Sequence, residues 1–570
     1  MFRPSPRSQR FFPLLMFLLL FSVPVYAEDG PEQPAVASAH PKATAAGREI
    51  LEAGGNAFDA AVAVSAALAV VEPYGSGLGG GGFWLLRTAD GREVMVDGRE
   101  KAPAAATPDM YQDAEGEVIE GASINGPKAA GVPGEPAALA HLAGEYGELP
   151  LAESLAPAIR YAREGFAVTE RYRTLAEFRL EVLRRHPRAA EVFLADKEVP
   201  EVGTVIRQPD LARTLERLAA EGRDGFYAGP VARELAESNQ AAGGLITRED
   251  LADYAVEERE PIAFEVAGHR VVAAPPPSSG GVALAQILRM LEAKGYGEAE
   301  GAARTHLLIE AMRRAYRDRA VHLGDSDFVD VPMERLTSRD YNAGLAATIH
   351  PEKALPSAHL PGPPAARGGR NTTHFSVLDG KGNRVAATLS INYPFGSGFV
   401  AGDTGVVLND EMDDFVAKPG EPNAYGLVGG EANAIEPGKR PLSSMSPTFV
   451  EGPERSLIVG TPGGSRIISM VARAVAGFVH DEGGAEALTH WVERPRYHHQ
   501  YLPDEIQHEP GAFSEEERAA LEEMGHTLAE MDRTYGDMQA VLWNRETGTV
   551  KAAADPRGEG EAKVLSPETP

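Results

Sequence analysis

A stretch rich in proline, glycine and arginine, Pro351 to Arg370, runs directly into the first residue of a strand pattern at Thr372, so no single regular element can cross that boundary. Prolines at 351, 356, 361, 363 and 364, with glycines at 362, 368 and 369, rule out a helix or a central strand. An exposed, mobile connection is expected there. Beyond it the pattern has period two: Thr373, Phe375 and Val377 alternate with Thr372, His374 and Ser376. The run Asp379-Gly380-Lys381-Gly382-Asn383 then separates this strand from a second one, Val385 to Ile391. Together they predict a β-hairpin with a Gly-containing turn.

A hairpin centred on Lys381 places Thr372 opposite Ser390, and cross-strand neighbours have Cβ atoms about 4.5–5.5 Å apart. Thr388, Ser390 and Asn392 then share one polar face, while Leu389 and Ile391 point to the apolar side. A threonine hydroxyl is a weak nucleophile without a base beside it. The α-amino group of an N-terminal threonine can be that base, and its reference pKa of about 7.7–8 leaves a useful neutral fraction near pH 7. Cleavage between Asn371 and Thr372 would create nucleophile and base together. The Thr372 hydroxyl would first attack the Asn371 carbonyl, and the resulting ester would be hydrolysed. The ordinary reading, that Thr372 only opens a strand, stands beside this one, because threonine is a good strand former.

Several further motifs bear on that choice. They are Gly54-Gly55-Asn56-Ala57-Phe58-Asp59-Ala60-Ala61, Asp97-Gly98-Arg99-Glu100-Lys101-Ala102-Pro103, Asn409-Asp410-Glu411-Met412-Asp413-Asp414-Phe415, Arg440-Pro441-Leu442-Ser443-Ser444-Met445-Ser446-Pro447 and Pro462-Gly463-Gly464-Ser465-Arg466. With Thr372 to Asn392, and in this order, they resemble the γ-glutamyltranspeptidases, which are N-terminal nucleophile hydrolases. The resemblance covers nearly the whole chain after the leader. It implies an α+β fold of four layers, an αββα sandwich, built from two autoproteolytic fragments of one chain: 28–371 and the catalytic 372–570.

Carried over motif by motif, the resemblance makes Thr372 the nucleophile and its freed amine the base. Ser390 fills a hydroxyl position usually held by threonine. The Gly463 and Gly464 amides would receive the developing oxyanion. A γ-glutamyl donor carries an α-carboxylate and an α-ammonium: Arg99, Ser443 and Ser444 suit the first, and Asn392, Glu411 and Asp414 the second. Position 411 varies in the family between glutamine and glutamate. Pro419 to Gly438, with Tyr425, resembles a lid loop over the glutamyl pocket and favours small γ-glutamyl compounds over polymers.

Composition narrows the remaining possibilities. Residues 1–27 carry Arg3, Arg7 and Arg10, an apolar run from Phe11 to Val23, and Val25-Tyr26-Ala27, the layout of a secretory signal peptide cleaved after Ala27. A periplasmic or secreted protein follows, with no membrane partner once the leader is gone. A formal net charge of −28 argues against nucleic acid and anionic lipid. The chain has no cysteine, so disulfides and thiolate chemistry are excluded.

No metal or other cofactor is expected: His498-His499 are adjacent rather than at ligand spacing, and no H-E-x-x-H occurs. Gly75 to Gly82 matches G-x-G-x-x-G, but it follows a helix and precedes a strand, so close backbone packing is the better reading.

The helical periodicity predicts helices at 56–72, 135–165, 170–185, 208–222, 282–294, 304–323, 465–480 and 514–524. Strands are predicted at 83–97, 262–274, 372–378, 384–391, 404–408, 447–450 and 456–460.

The expected activity is an exported, self-processing γ-glutamyltransferase and hydrolase acting on glutathione-like amides, with water, amino acids or peptides as acceptors. A cephalosporin (glutaryl) acylase of the same superfamily and a catalytically silent extracytoplasmic binding protein are the alternatives.

Overall fold

The computed structural model describes Met1, 30–360, 372–418, 430–482 and 487–566. The leader, most of the connection before Thr372 including Asn371, and most of the lid-like loop including Tyr425 lie outside those residues.

The predicted hairpin is present, as strands Thr373–Leu378 and Arg384–Ser390. Their pairing runs from Arg384↔Leu378 to Leu389↔Thr373, a register centred on Lys381 that brings Ser390 opposite Thr372 at its open end. The turn closes through Gly382 N–H to Asp379 O at 3.1 Å and Asp379 N–H to Asn383 O at 3.0 Å.

Both strands are buried throughout, and the two faces of the hairpin have different neighbours. Phe375, Val377, Leu389 and Ile391 join the apolar cluster around helix Ala57–Val71. Ser376 points the other way, donating to Gln539 O at 3.1 Å, and His374 Nδ1 bonds Thr388 Oγ1 across the hairpin at 2.9 Å. Burial holds the His374 imidazole down at about 3, so it is neutral in the folded protein.

The hairpin is the middle of a seven-stranded sheet in the order Glu561–Val564, Ala35–Ser38, Thr373–Leu378, Arg384–Ser390, Gly81–Arg87, Glu93–Asp97, Glu257–Arg259. A six-stranded sheet runs Val550–Ala554, Gln539–Asn544, Arg455–Gly460, Thr448–Glu451, His269–Ala273, Ile262–Val266. Strands before and after residue 372 are therefore interleaved in one sheet and adjoin in the other. The two sheets pack on each other through Thr373–Leu378 and Arg384–Ser390 against Arg455–Gly460. Helices Pro41–Glu52 and Ala57–Val71 touch the first sheet, and Gly280–Ala293 and Arg466–Val479 touch the second.

Helix Ala57–Val71 shows why these elements form. Asn56 caps it in a reciprocal box with Asp59, and all fifteen of its residues are buried. The glycine run that follows packs backbone against backbone as predicted. A Cβ on Gly79 would stand 1.8 Å from Val407 O, and one on Gly80 would stand 2.2 Å from Ser390 O.

Five expectations are corrected. The 83–97 and 262–274 strands are each an antiparallel pair, Gly81–Arg87 with Glu93–Asp97 and Ile262–Val266 with His269–Ala273. The 135–165 helix is two, Glu135–Glu145 and Leu151–Glu164, split by a turn that ends at Pro150. Thr404 to Leu408 is not a strand: Gly402–Thr404 is a 3₁₀ turn, and only the isolated bridges Val400↔Val407 and Gly79↔Leu408 form there. The beginning of the 351–370 connection is largely exposed, as expected, but it is anchored at Ser357, which is buried, accepts from Arg313 Nη1 at 2.6 Å and donates its N–H to Asp504 at 2.7 Å.

Candidate active site

Thr372, at the open end of the hairpin, is 6% exposed and lines a cavity of about 20 Å³, roughly the room one water needs. Ser390, Asn392, Glu411 and Asp414 line the same cavity, as do Ser443, Ser444 and Gly464. Seven of the other residues singled out in the sequence thus converge on Thr372 from four separate segments. Gly463 borders a neighbouring cavity of about 440 Å³, so the Gly463-Gly464 pair forms a wall between the two.

Local structure sets each of these positions. Ser390 Oγ accepts the Asn392 N–H at 2.8 Å, and Asn392 takes a left-handed backbone (φ 69°) that ends the strand and turns the chain toward Asp410. Its amide Nδ2 donates to Asp410 O at 3.0 Å. Glu411 and Asp414 lie on a single 3₁₀ turn. Asn409 pins that turn: its Oδ1 accepts from Glu411 N–H and Gly131 N–H, both at 2.9 Å, and its Nδ2 donates to Gly79 O at 2.6 Å and Gly131 O at 2.8 Å.

Gly463 and Gly464 have φ of 143° and 57°, values that favour glycine. Among the described residues neither of their amide N–H groups finds an acceptor, which leaves two donors at the cavity wall.

Arg99 stands behind the cavity instead of lining it. Its guanidinium is ion-paired with Glu411 and Asp414, its Nε donates to Pro441 O at 3.2 Å, and it is fully buried. Burial alone would lower its pKa, but Glu411, Asp414 and Glu100 push it up instead. The same burial raises Glu411 to about 7 against the pull of Arg99, and raises Asp414 and, most strongly, Glu100. Arg99 thus holds both carboxylates beside the Thr372 cavity, while Glu411 Oε2 has no hydrogen-bond partner among the described residues.

The sequence reading missed three contributors. Arg319, on helix Gly301–His322, lines the cavity and donates to Ser444 Oγ at 3.1 Å. Asn409 organises the acidic turn. Glu72, raised by burial, accepts from Thr373 Oγ1 at 2.8 Å and so fixes the residue after Thr372. A usable signal existed for Arg319, since three arginines interrupt the 304–323 helix where its buried face should be apolar.

His498 and His499 are buried and bonded to Ser469, Gln500 and Asp504. No group of three or more potential metal ligands occurs among the described residues.

This geometry sits within a known family. The family model described as gamma-glutamyltranspeptidase matches residues 43–565, and the chain belongs to that family. It is 43% identical over 543 residues to the glutathione hydrolase proenzyme of Escherichia coli K12, covering 94% of this chain and 91% of that one. Among solved structures it resembles a cephalosporin acylase from Bacillus halodurans, with TM-score 0.80, 28% identity and 99% of both chains covered. It also resembles the Helicobacter pylori gamma-glutamyltranspeptidase, with TM-score 0.56 and 38% identity, covering 57% of this chain and 94% of that one.

Proposed function

We propose that this chain is the precursor of an exported glutathione hydrolase and γ-glutamyltransferase that splits itself between Asn371 and Thr372. The observation that carries the reading is the convergence of Thr372, Ser390, the Glu411/Asp414 pair and Gly464 on one cavity, with Gly463 next to it in the wall. Residues 28–371 and 372–570 become a large and a small subunit that share a four-layer αββα sandwich. Support comes from two sheets packed face to face with helices against each. Residues 1–27 are the leader that directs the precursor to the periplasm or medium.

In the mature enzyme the Thr372 hydroxyl attacks the donor's γ-carbonyl while the Thr372 amine takes the proton. The Gly463 and Gly464 N–H groups receive the oxyanion, and Ser390 orients the nucleophile. The protonated amine returns its proton to the leaving amine, and a γ-glutamyl-Thr372 ester remains. Water, or the amine of an amino acid or peptide, then attacks the ester.

Donor binding exchanges ion pairs. The α-ammonium takes Glu411, Asp414 and Asn392, and Arg99, so released, meets the α-carboxylate with Ser443 and Ser444. The void around Thr372 is too small for a glutamyl group, so the Arg99–Glu411–Asp414 cluster opens as the donor enters.

The similarity to a cephalosporin acylase makes a glutaryl amide the rival donor. A glutaryl chain has no α-ammonium, and it would leave Glu411 and Asp414 with nothing to receive. N-terminal sequencing of the smaller fragment, with turnover of a γ-glutamyl anilide against a glutaryl amide, tests the proposal. An uncut active chain, or preference for the glutaryl amide, would overturn it.

A further inference from the structure

We propose that Arg319 is a second carboxylate anchor of the Thr372 cavity, holding the donor's α-carboxylate together with the Ser444 hydroxyl. The inference rests on the γ-glutamyl reading given above and adds a residue that its motifs do not contain.

Arg319 is 5% exposed, and its only hydrogen-bond partners among the described residues are two hydroxyls: Nε to Ser279 Oγ at 3.0 Å and Nη2 to Ser444 Oγ at 3.1 Å. No carboxylate of a described residue lies within ion-pair distance of it. Most other deeply buried arginines differ: Arg99, Arg313, Arg314, Arg384, Arg440 and Arg496 each have a carboxylate partner, and Arg179 is held by three backbone carbonyls and Asn125 Oδ1. A buried charge without a counter-charge is strongly unfavourable, and the residue cannot relieve this by losing its proton. Burial and the nearby Arg99 lower its pKa to about 10, with Asp414 opposing, so it stays charged at neutral pH. The site is therefore built to receive an anion.

Arg99 and Arg319 meet an incoming carboxylate on unequal terms. Arg99 must first give up Glu411, Asp414 or the Pro441 carbonyl. Arg319 has only hydroxyl contacts to rearrange, and Ser444 can keep its contact while also donating to the ligand. The charges agree with this arrangement: burial keeps Glu100 beside Arg99 protonated, so once Glu411 is ionised two guanidinium groups and two carboxylates sum to zero, which suits a zwitterionic donor.

Calorimetric titration of the processed protein with L-glutamate, glutarate and 4-aminobutanoate separates the roles. The first two carry the carboxylate in question, and the third lacks it. Arg319→Gln should weaken L-glutamate and glutarate by roughly 10- to 100-fold, the worth of a charged hydrogen bond, and leave 4-aminobutanoate within about twofold. Arg319→Lys, which keeps the charge and loses the fork, should fall between, and it carries the same comparison if the Gln variant does not mature. Equal weakening of all three ligands would mean a structural role and overturn the proposal, as would unchanged glutarate binding. Wild-type protein that binds glutarate but not L-glutamate would instead overturn the γ-glutamyl reading, leaving the Arg319 comparison for glutarate standing.

Discussion

Arg99 and Glu411 are ion-paired where neither meets water, with side-chain exposures of 0% and 2%. Burial nevertheless pushes Glu411 up to about 7, so its charge changes within the working range of an enzyme. Below that pH Glu411 is neutral and offers less to a donor's ammonium; above it the carboxylate is restored. KM for a γ-glutamyl anilide should rise as pH falls below 7, by up to about tenfold per unit. Glu411→Gln should flatten that limb. An unchanged slope in the variant would assign the titration elsewhere.

Thr372→Ala should leave the chain intact on a denaturing gel and abolish turnover, because it removes the hydroxyl proposed both to cut and to catalyse. Normal fragments from this variant would refute the assignment of the nucleophile.

Ser390→Ala removes the hydroxyl that accepts the Asn392 N–H and stands opposite Thr372. A loss of about 10²-fold in kcat is expected, at the lower end of what a positioned proton-handling group contributes. Ser390→Thr keeps the oxygen and should restore most of it. Steady-state kinetics on the purified variants decides.

Gly79→Ala places a methyl group 1.8 Å from the Val407 carbonyl oxygen. Backbone must shift on one side, which costs about 1–3 kcal/mol. The same loop carries the Gly79 carbonyl that Asn409 grips, so a lower Tm should be accompanied by slower fragment formation. A variant of wild-type Tm and processing rate would show that the loop yields without strain.

Glu135 is fully buried, and burial raises its carboxyl from 4.5 to about 8. The folded state then holds a proton that the unfolded chain has released, and stability falls as pH rises between those values, by up to about 1.4 kcal/mol per unit. Glu135→Gln should lessen that decline and be the more stable form at pH 8–9. Denaturant unfolding of both proteins across pH 5–9 measures it, and parallel curves would exclude Glu135 as the source.

Local patterns showed a good deal of this. The hairpin register was legible because alternation and a Gly-containing turn fix it together, and helix Ala57–Val71 because cap and apolar run coincide. Ala35–Ser38 escaped notice because a four-residue strand buried throughout has no alternation to show. The run at 404–408 looked like a strand but spends its backbone on single bridges to other loops. Motif order brought the site residues together on the page. It could not reveal that Arg99 is ion-paired with Glu411 and Asp414, or that residue 319 reaches residue 444. Those are tertiary facts, fixed by how a helix lies against a loop 125 positions away.

Strand Ala35–Ser38 lies between Thr373–Leu378 and the C-terminal Glu561–Val564, with hydrogen bonds to both. Once the bond before Thr372 is gone, neither product can complete the sheet alone. An intact precursor can refold at a rate independent of concentration, whereas denatured mature enzyme must find its other half in a second-order encounter. On the proposed cleavage, maturation would work as a ratchet: the finished enzyme would keep a shape that its separated pieces recover only by meeting again.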